Sequence, residues 1–172
     1  MRSHRLATSQ LNDTPKTMKP KPIPDGYQAV TPYLIVNGAA GAIDFYKEIF
    51  GATERMRMAS PDGRVGHAEL LIGGCVVMLA DECIEMDARS PQTVGGSPVL
   101  LNLYVEDVDA VVARAIAAGA KLLRPVENQF YGDRSGNLVD PFGHLWNLAT
   151  HVEDVPPEEL ERRAAAMFSP KE

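Results

Sequence analysis

The residues best suited to chemistry in this sequence are His67 and Glu69, which lie two apart in the segment VGHAELLI. That segment has the apolar composition of a β-strand, and residues two apart on a strand project from the same face. An imidazole beside a carboxylate can act as an acid–base pair, with the histidine as the titrating member. The two side chains can also contact a bound ligand, or Glu69 can merely orient His67. The sequence leaves these three roles open.

The same alternation extends the candidate site to other strands. Five more residues are predicted to share this face: Thr31, Tyr33, Asn102, Tyr104 and Asn147. Buried amides need hydrogen-bond partners, so we expect the two asparagines to bind a polar group of a ligand. With His67 and Glu69, these residues form the predicted ligand-binding set. A metal site that also used His151 is disfavoured, because His151 lies roughly 13 Å beyond Asn147 along an extended strand.

The elements that must position these side chains occur in an order that repeats. A strand QAVTPYLIV, a helix from Ala40 to Phe50 and the strands ATERMRMA, VGHAELLI and CVVMLA form one βαβββ module at about residues 27–80. A linker follows, and PVLLNLYV begins a second βαβββ module at about residues 97–151. Pairing two such units hides sheet edges and leaves a concave face. We therefore predict an α+β fold in which paired βαβββ modules form a curved mixed sheet around a cleft.

The two ends of the chain differ from this body, which we expect to be one domain over residues 26–155. Residues 1–25 are polar, contain four prolines and show no periodicity, which is typical of a disordered arm. In the last segment, residues 156–172, two prolines and two glutamates open an amphipathic helix that is followed by a short tail.

Composition excludes several classes of function. A net charge of −6 with no basic stripe disfavours nucleic-acid binding, and no apolar run reaches the roughly 20 residues that span a bilayer. Two cysteines, Cys75 and Cys83, rule out a disulfide framework, and the N-terminus lacks the apolar stretch of a secretory signal. We expect a cytoplasmic protein, with Cys75 and Trp146 packed in its core.

Four stretches of the body resemble the glyoxalase/bleomycin resistance protein/dioxygenase (vicinal oxygen chelate) superfamily, and within it the PhnB-like branch. They are TPYLIVNGAAGAIDFYKEIFGA, GRVGHAELLIGG, LYVEDVDAVVARAIAAGA and DPFGHLWNLATHVEDV. They run from about Thr31 to Val155, nearly the whole body. The resemblance implies the paired-module fold, a small-molecule ligand in the cleft, and a homodimer.

For metal-dependent members, the resemblance also implies a divalent cation held by side chains from four strands, with substrate oxygens completing its coordination. Those four places fall on Thr31, Glu69, Leu100 and Asn147. Only Glu69 is a good ligand, and the leucine cannot bind a metal at all. We therefore predict that the inherited metal site is lost and that the protein has no cofactor, with a divalent metal at a rebuilt site as the alternative.

Three functions follow from this. The first is a small-molecule-binding protein without a metal. The second is an enzyme of the lyase, isomerase or dioxygenase kind, which acts in the same cleft through a rebuilt metal site or through acid–base chemistry at His67 and Glu69. The third is a non-catalytic dimeric module, which would be indifferent to the loss of either side chain.

Overall fold

Two copies of one βαβββ unit make up most of the chain in the computed structural model, which describes residues 19–168. The first unit consists of β1 (Tyr33–Val36), α1 (Ala39–Phe50), β2 (Thr53–Ala59), β3 (Val65–Ile72) and β4 (Cys75–Asp81). The second unit consists of β5 (Leu100–Tyr104), α3 (Val108–Ala117), β6 (Lys121–Asn128), β7 (Asp133–Val139) and β8 (Leu145–His151). Between them lie a 3-10 turn (Ile84–Met86) and the short helix α2 (Pro91–Val94), and α4 (Pro157–Phe168) follows the second unit.

The two sheets have the same topology. Their strand orders are β1-β4-β3-β2 and β5-β8-β7-β6, and in each sheet the first pair is parallel and the others are antiparallel. Tyr33 lies opposite Met78 in the first sheet, as Asn102 lies opposite Asn147 in the second. The predicted α+β class and the internal duplication are thus confirmed. Over residues 19–168 no strand pairing joins the two sheets, so within the chain they remain two four-stranded sheets.

Each sheet buries one face against a helix. In α1 the buried side chains recur at helical spacing, including Ala42, Ile43, Tyr46 and Ile49, as expected of a helix packed along one stripe. Its first turn is capped by a residue that is remote in sequence. Asp81 Oδ1 at the end of β4 accepts hydrogen bonds from the backbone nitrogens of residues 38 and 39 at 2.9 and 2.8 Å. This cap fixes the helix to the sheet beneath it.

The two units are joined by a buried carboxylate. Asp140 Oδ2 accepts hydrogen bonds from Tyr46 Oη on α1 at 2.7 Å and from Trp146 Nε1 on β8 at 2.9 Å. The ring of Phe50 lies against that of Trp146, with their centroids 4.7 Å apart. Trp146 is therefore a core residue, as predicted, and it lies where the helix of one unit meets the sheet of the other.

Two local predictions were wrong. β1 begins at Tyr33, so Thr31 precedes the strand instead of lying on it. Cys75 is exposed and not in the core, because it is the first residue after the two-glycine turn. The segment predicted as a linker has structure of its own between the two units, since Glu82 Oε2 accepts a hydrogen bond from the backbone nitrogen of the buried Ser90 at 2.6 Å.

Residues 1–18 of the predicted arm lie outside the described residues, and residues 19–25 are exposed and in neither helix nor strand. At the other end, Arg163 of α4 forms an ion pair at 2.7 Å with Glu153, which attaches the helix to the end of the second unit, and a second pair at 2.7 Å with Glu159 within the helix. None of the helices in the described part of the chain is both long and apolar enough to cross a membrane.

Candidate functional site

Tyr33, His67 and Glu69 form a connected polar cluster on the open face of the first sheet. Tyr33 Oη lies 2.9 Å from His67 Nδ1, and His67 Nε2 lies 3.5 Å from Glu69 Oε1. The tyrosine comes from β1 and the other two from β3, and strand alternation directs all three to the face opposite α1. The cluster places an exposed phenol and a half-buried imidazole next to a buried carboxylate.

Glu69 is only 5% exposed, and two further residues hold it there. Tyr27 Oη lies 2.7 Å from each carboxylate oxygen and donates its hydrogen bond to them. Arg55 Nη1 lies 3.7 Å from Glu69 Oε2, and the Arg55 guanidinium lies over the Tyr27 ring at 4.8 Å from its centroid. The hydrogen bond from Tyr27 lowers the pKa of Glu69 and, conversely, raises the pKa of Tyr27. Glu69 is therefore a carboxylate at neutral pH.

Tyr27 and Arg55 were missed by the sequence reasoning for different reasons. Tyr27 precedes the first strand, where alternation gives no direction. Arg55 lies at an irregularity in the pairing of β2 with β3, between Glu54 opposite Leu70 and Met56 opposite Glu69. Such a bulge redirects a side chain that simple alternation would send to the other face. The cation beside the carboxylate therefore depends on a feature that the sequence pattern does not reveal.

A cavity of about 470 Å³ lies beside this cluster on the same face. Its apolar lining includes Tyr33, Ile35 and Ala80 from the sheet and Met86 and Ala88 from the segment that follows β4. A bridge between Cys83 and Ala88 closes that segment into a loop. The volume falls in the range that ligand pockets occupy, and a few polar groups beside an apolar lining are typical of such pockets.

The second sheet has a polar face instead. Asn147 Nδ2 donates a hydrogen bond to Asn102 Oδ1, and Asn147 lies opposite Asn137 on the next strand. A separate cavity of about 410 Å³ is lined by Asn137, Asn147 and Arg124 among others. By the register of the two sheets, Asn137 occupies the place that Glu69 has in the first unit. One unit thus presents a carboxylate where the other presents an amide.

Tyr104 belongs to a third group. Its hydroxyl donates to Asp133 Oδ2 at 2.7 Å, and Asp133 Oδ1 lies 2.8 Å from His151 Nδ1. His151 Nε2 lies 3.0 Å from Asp154 Oδ1, so both ring nitrogens face carboxylates. The hydrogen bond with Asp133 raises the pKa of His151, and Asp154 adds to the effect. This group stabilises an imidazolium.

The predicted ligand-binding residues are therefore not gathered at one place within the chain. Tyr33, His67 and Glu69 share a face of the first sheet, and Asn102 and Asn147 share a face of the second sheet. Tyr104 is hydrogen-bonded to Asp133 instead. Thr31 lies outside the strands and donates its hydroxyl hydrogen bond to the Gln28 carbonyl at 3.1 Å. The binding roles of these residues stay predictions.

The four places assigned to a metal do not form a donor set. Register places Met78 of the first unit, and not Glu69, at the position equivalent to Asn147. Glu69 is engaged by Tyr27 and Leu100 has no donor atom. Among residues 19–168 no group of three or more His, Cys, Asp or Glu side chains is placed to hold a metal ion. The residues present do not fit the metal that the family implies, and the absence of a cofactor stays a prediction.

Known proteins are similar to this chain both in sequence and in fold. An uncharacterised protein of Mycobacterium tuberculosis is 44% identical over 144 residues, which cover 82% of this chain and 83% of that protein. The X-ray structure of a gene product from Arabidopsis thaliana is 30% identical with a TM-score of 0.58 and covers 72% of this chain and 98% of its own. A PhnB protein from Bacillus cereus, described as a putative 3-demethylubiquinone-9 3-methyltransferase, is 21% identical with a TM-score of 0.57, covers 72% of this chain and 99% of its own, and shares the fold.

The family model described as Glyoxalase/Bleomycin resistance protein/Dioxygenase superfamily matches residues 27–148. That range contains both βαβββ units up to the middle of β8, and with them every predicted site residue. The chain therefore belongs to the glyoxalase/bleomycin resistance protein/dioxygenase superfamily.

Proposed function

We propose that this protein binds a small, largely apolar molecule in the cavity beside His67, without a metal. The observation that carries the proposal is a mostly apolar cavity of about 470 Å³ directly next to a hydrogen-bonded polar cluster on an uncovered sheet face. Apolar walls supply affinity through burial, and a few fixed polar groups supply orientation. Tyr33 lines the cavity and is held by its contact with His67, and Arg64 and Asp62 are charged groups in the same lining.

Methionines support a binding role for this face. Met56 and Met58 lie opposite Glu69 and His67 and are 38% and 60% exposed, and Met86 at the cavity is 79% exposed. Methionine side chains are flexible and polarisable, and they are common on surfaces that adapt to varied ligands. Large apolar side chains that stay exposed on one face indicate contact with another molecule.

We further propose that the protein is a homodimer of the PhnB-like branch that acts in the cytoplasm. Support for the dimer comes from the open faces of both sheets, where Tyr33, Leu100 and Tyr104 are 47%, 49% and 58% exposed. A second copy would cover such surface. Light scattering after size exclusion should give twice the monomer mass of 18.7 kDa.

The binding proposal is tested with N-phenyl-1-naphthylamine, a neutral apolar dye that fluoresces when it leaves water. Ala88→Phe fills the cavity from its loop wall and should weaken dye binding by about tenfold, since roughly 1.4 kcal/mol of binding free energy corresponds to that factor. Ala113→Phe, on the exposed side of α3, makes the same exchange away from the cavity and should leave binding unchanged.

Circular dichroism spectra that match the wild type establish that both variants are folded. Equal dye affinity in Ala88→Phe and the wild type would contradict the proposal. A second measurement separates binding from catalysis. A molecule that binds the wild-type protein is incubated with that protein, recovered, and analysed for chemical change. Recovery of an altered molecule, with the alteration lost in His67→Ala, would replace the binding function by acid–base catalysis at His67.

A further inference from the structure

The contact between Tyr27 and Glu69 has the form of a ligand complex. We propose that Glu69 and Arg55 form a recognition site for a phenolic hydroxyl group, and that Tyr27 occupies this site while no ligand is bound. The inference rests on the proposed function and names the chemical class of the molecule, an aryl alcohol with an apolar body.

Three contacts define what the site recognises. A carboxylate accepts the hydroxyl hydrogen bond, with both of its oxygens 2.7 Å from the phenol oxygen. A guanidinium lies over the ring at 4.8 Å, within the range of a cation–π interaction. The same guanidinium lies 3.7 Å from the carboxylate and balances its charge. An aliphatic alcohol would satisfy only the first contact, whereas an aryl alcohol satisfies the ring contact as well.

Two of the groups that favour the charged form of Glu69 stay in place when Tyr27 leaves, which strengthens this preference. The hydrogen bond from Tyr27 is the main cause that lowers the pKa of Glu69, and His67 and Arg55, which do not move with Tyr27, lower it as well. Hydrogen bonds from hydroxyl groups to ionised acceptors are shorter and stronger than neutral ones. A buried carboxylate that loses Tyr27 must regain a donor, because an unpaired buried charge is costly.

Tyr27 can leave while the rest of the site stays in place. Glu69 and Arg55 lie on β3 and β2, which pair on both sides of the irregularity at Arg55. Tyr27 lies in a stretch without helix or strand, and its backbone nitrogen makes only a long hydrogen bond of 3.3 Å to the Pro24 carbonyl. The next residue, Gln28, is fixed by hydrogen bonds to Gly74 and Val76, so the movement is confined to the segment before it.

The position of the site also sets the shape of the ligand. Glu69 lies four residues from Val65 on β3, and Val65 lines the apolar cavity. Four residues of a strand span roughly 13 Å, with His67 halfway along the same face. A ligand whose phenol ring occupies the place of Tyr27 would therefore extend its apolar body past His67 into the cavity.

The test uses 4-methylphenol, with 4-methylanisole as its counterpart that lacks the hydroxyl donor. Tyr27→Ala and Tyr27→Phe both remove the competing hydroxyl, and Tyr27→Phe keeps the ring and guards against a folding defect. Calorimetric titration should show that Tyr27→Ala binds 4-methylphenol at least about tenfold more tightly than the wild type, because the wild type is competent only in the fraction with Tyr27 displaced. Tyr27→Phe loses the hydrogen bond to Glu69 but keeps the ring contact with Arg55, so its affinity should lie between those of Tyr27→Ala and the wild type. Tyr131→Ala, an exposed tyrosine on the second unit, should bind as the wild type does.

Adding Glu69→Gln to Tyr27→Ala should lower the affinity for 4-methylphenol by about tenfold and leave that for 4-methylanisole unchanged. The inference is overturned if Tyr27→Ala binds 4-methylphenol no better than the wild type, or if the two compounds bind equally. Dye binding separates the two proposals. If the naphthylamine binds and responds to Ala88→Phe while the phenol series fails, only the phenol site is refuted. If dye binding fails, the proposed function itself is refuted.

Discussion

Asp140 joins the two βαβββ units, and its replacement gives the sharpest test of how they are held together. The side chain is 4% exposed and accepts four hydrogen bonds. Two come from Tyr46 and Trp146, and two come from the backbone nitrogens of Phe142 and His144, both at 2.9 Å to Oδ1. Asp140→Ala removes all four acceptor contacts at once.

The magnitude follows from what is left without a partner. The hydroxyl of Tyr46 and the indole nitrogen of Trp146 belong to side chains that are 0% and 3% exposed, so water does not replace the lost acceptor. Each buried donor left unsatisfied costs about 1–3 kcal/mol, and we expect Asp140→Ala to lower the free energy of unfolding by about 2–6 kcal/mol. Tyr46→Phe removes one donor together with its own hydrogen bond and should cost about 1 kcal/mol.

Urea unfolding followed by far-ultraviolet circular dichroism measures these differences from the transition midpoints. The matched variant Asp140→Asn keeps one acceptor oxygen but adds an amide group whose hydrogens face other donors. Its loss of unfolding free energy should therefore lie between those of Tyr46→Phe and Asp140→Ala. The assigned role of the carboxylate would be refuted if Asp140→Ala lowered the free energy of unfolding by less than about 1 kcal/mol. It would also be refuted if Tyr46→Phe lowered that free energy more than Asp140→Ala does.

Two other predictions concern protonation and metal content. Because hydrogen bonds with Asp133 and Asp154 raise the pKa of His151 above 6.5, its stabilising contribution is complete below that pH and is lost as pH rises through the raised pKa. The difference in unfolding free energy between wild type and His151→Gln should thus be larger at pH 5.5 than at pH 8.5, and a difference independent of pH would contradict this. Protein purified without chelator should contain far less than one equivalent of divalent metal by mass spectrometry, and near-stoichiometric zinc, nickel, manganese or iron that persists through dialysis would overturn the donor-set reasoning.

The fold could be predicted from sequence because its signals are local and occur twice. Alternation along VGHAELLI, helical spacing from Ala40 to Phe50, and a glycine after each of two helices each specify an element, and the repeat confirms the assignment. The start of β1 was misplaced at Gln28 because Val30 and Thr31 are β-branched and favour a strand. Parallel pairing with β4 begins only at Tyr33, and pairing depends on the partner strand and not on composition.

The candidate site could be predicted only in part. Alternation correctly put Tyr33, His67 and Glu69 on one face and brought Asn102 next to Asn147. It could not show that these groups lie on separate sheets, since sheet separation depends on how the units pack. The family resemblance, in turn, assigned metal places to both Glu69 and Asn147. They lie on strands that are not equivalent, β3 and β8, and this became visible only from the pairing between strands.

The junction around Asp140 has a practical consequence. Trp146 is the only tryptophan of the chain, and it lies against Phe50 and Tyr46 of the other unit. Its emission therefore reports on one contact, the docking of the first helix against the second sheet. A shift of that emission to longer wavelength while secondary structure persists would register the two halves coming apart before either melts. The chain thus carries an intrinsic optical probe for watching its halves assemble.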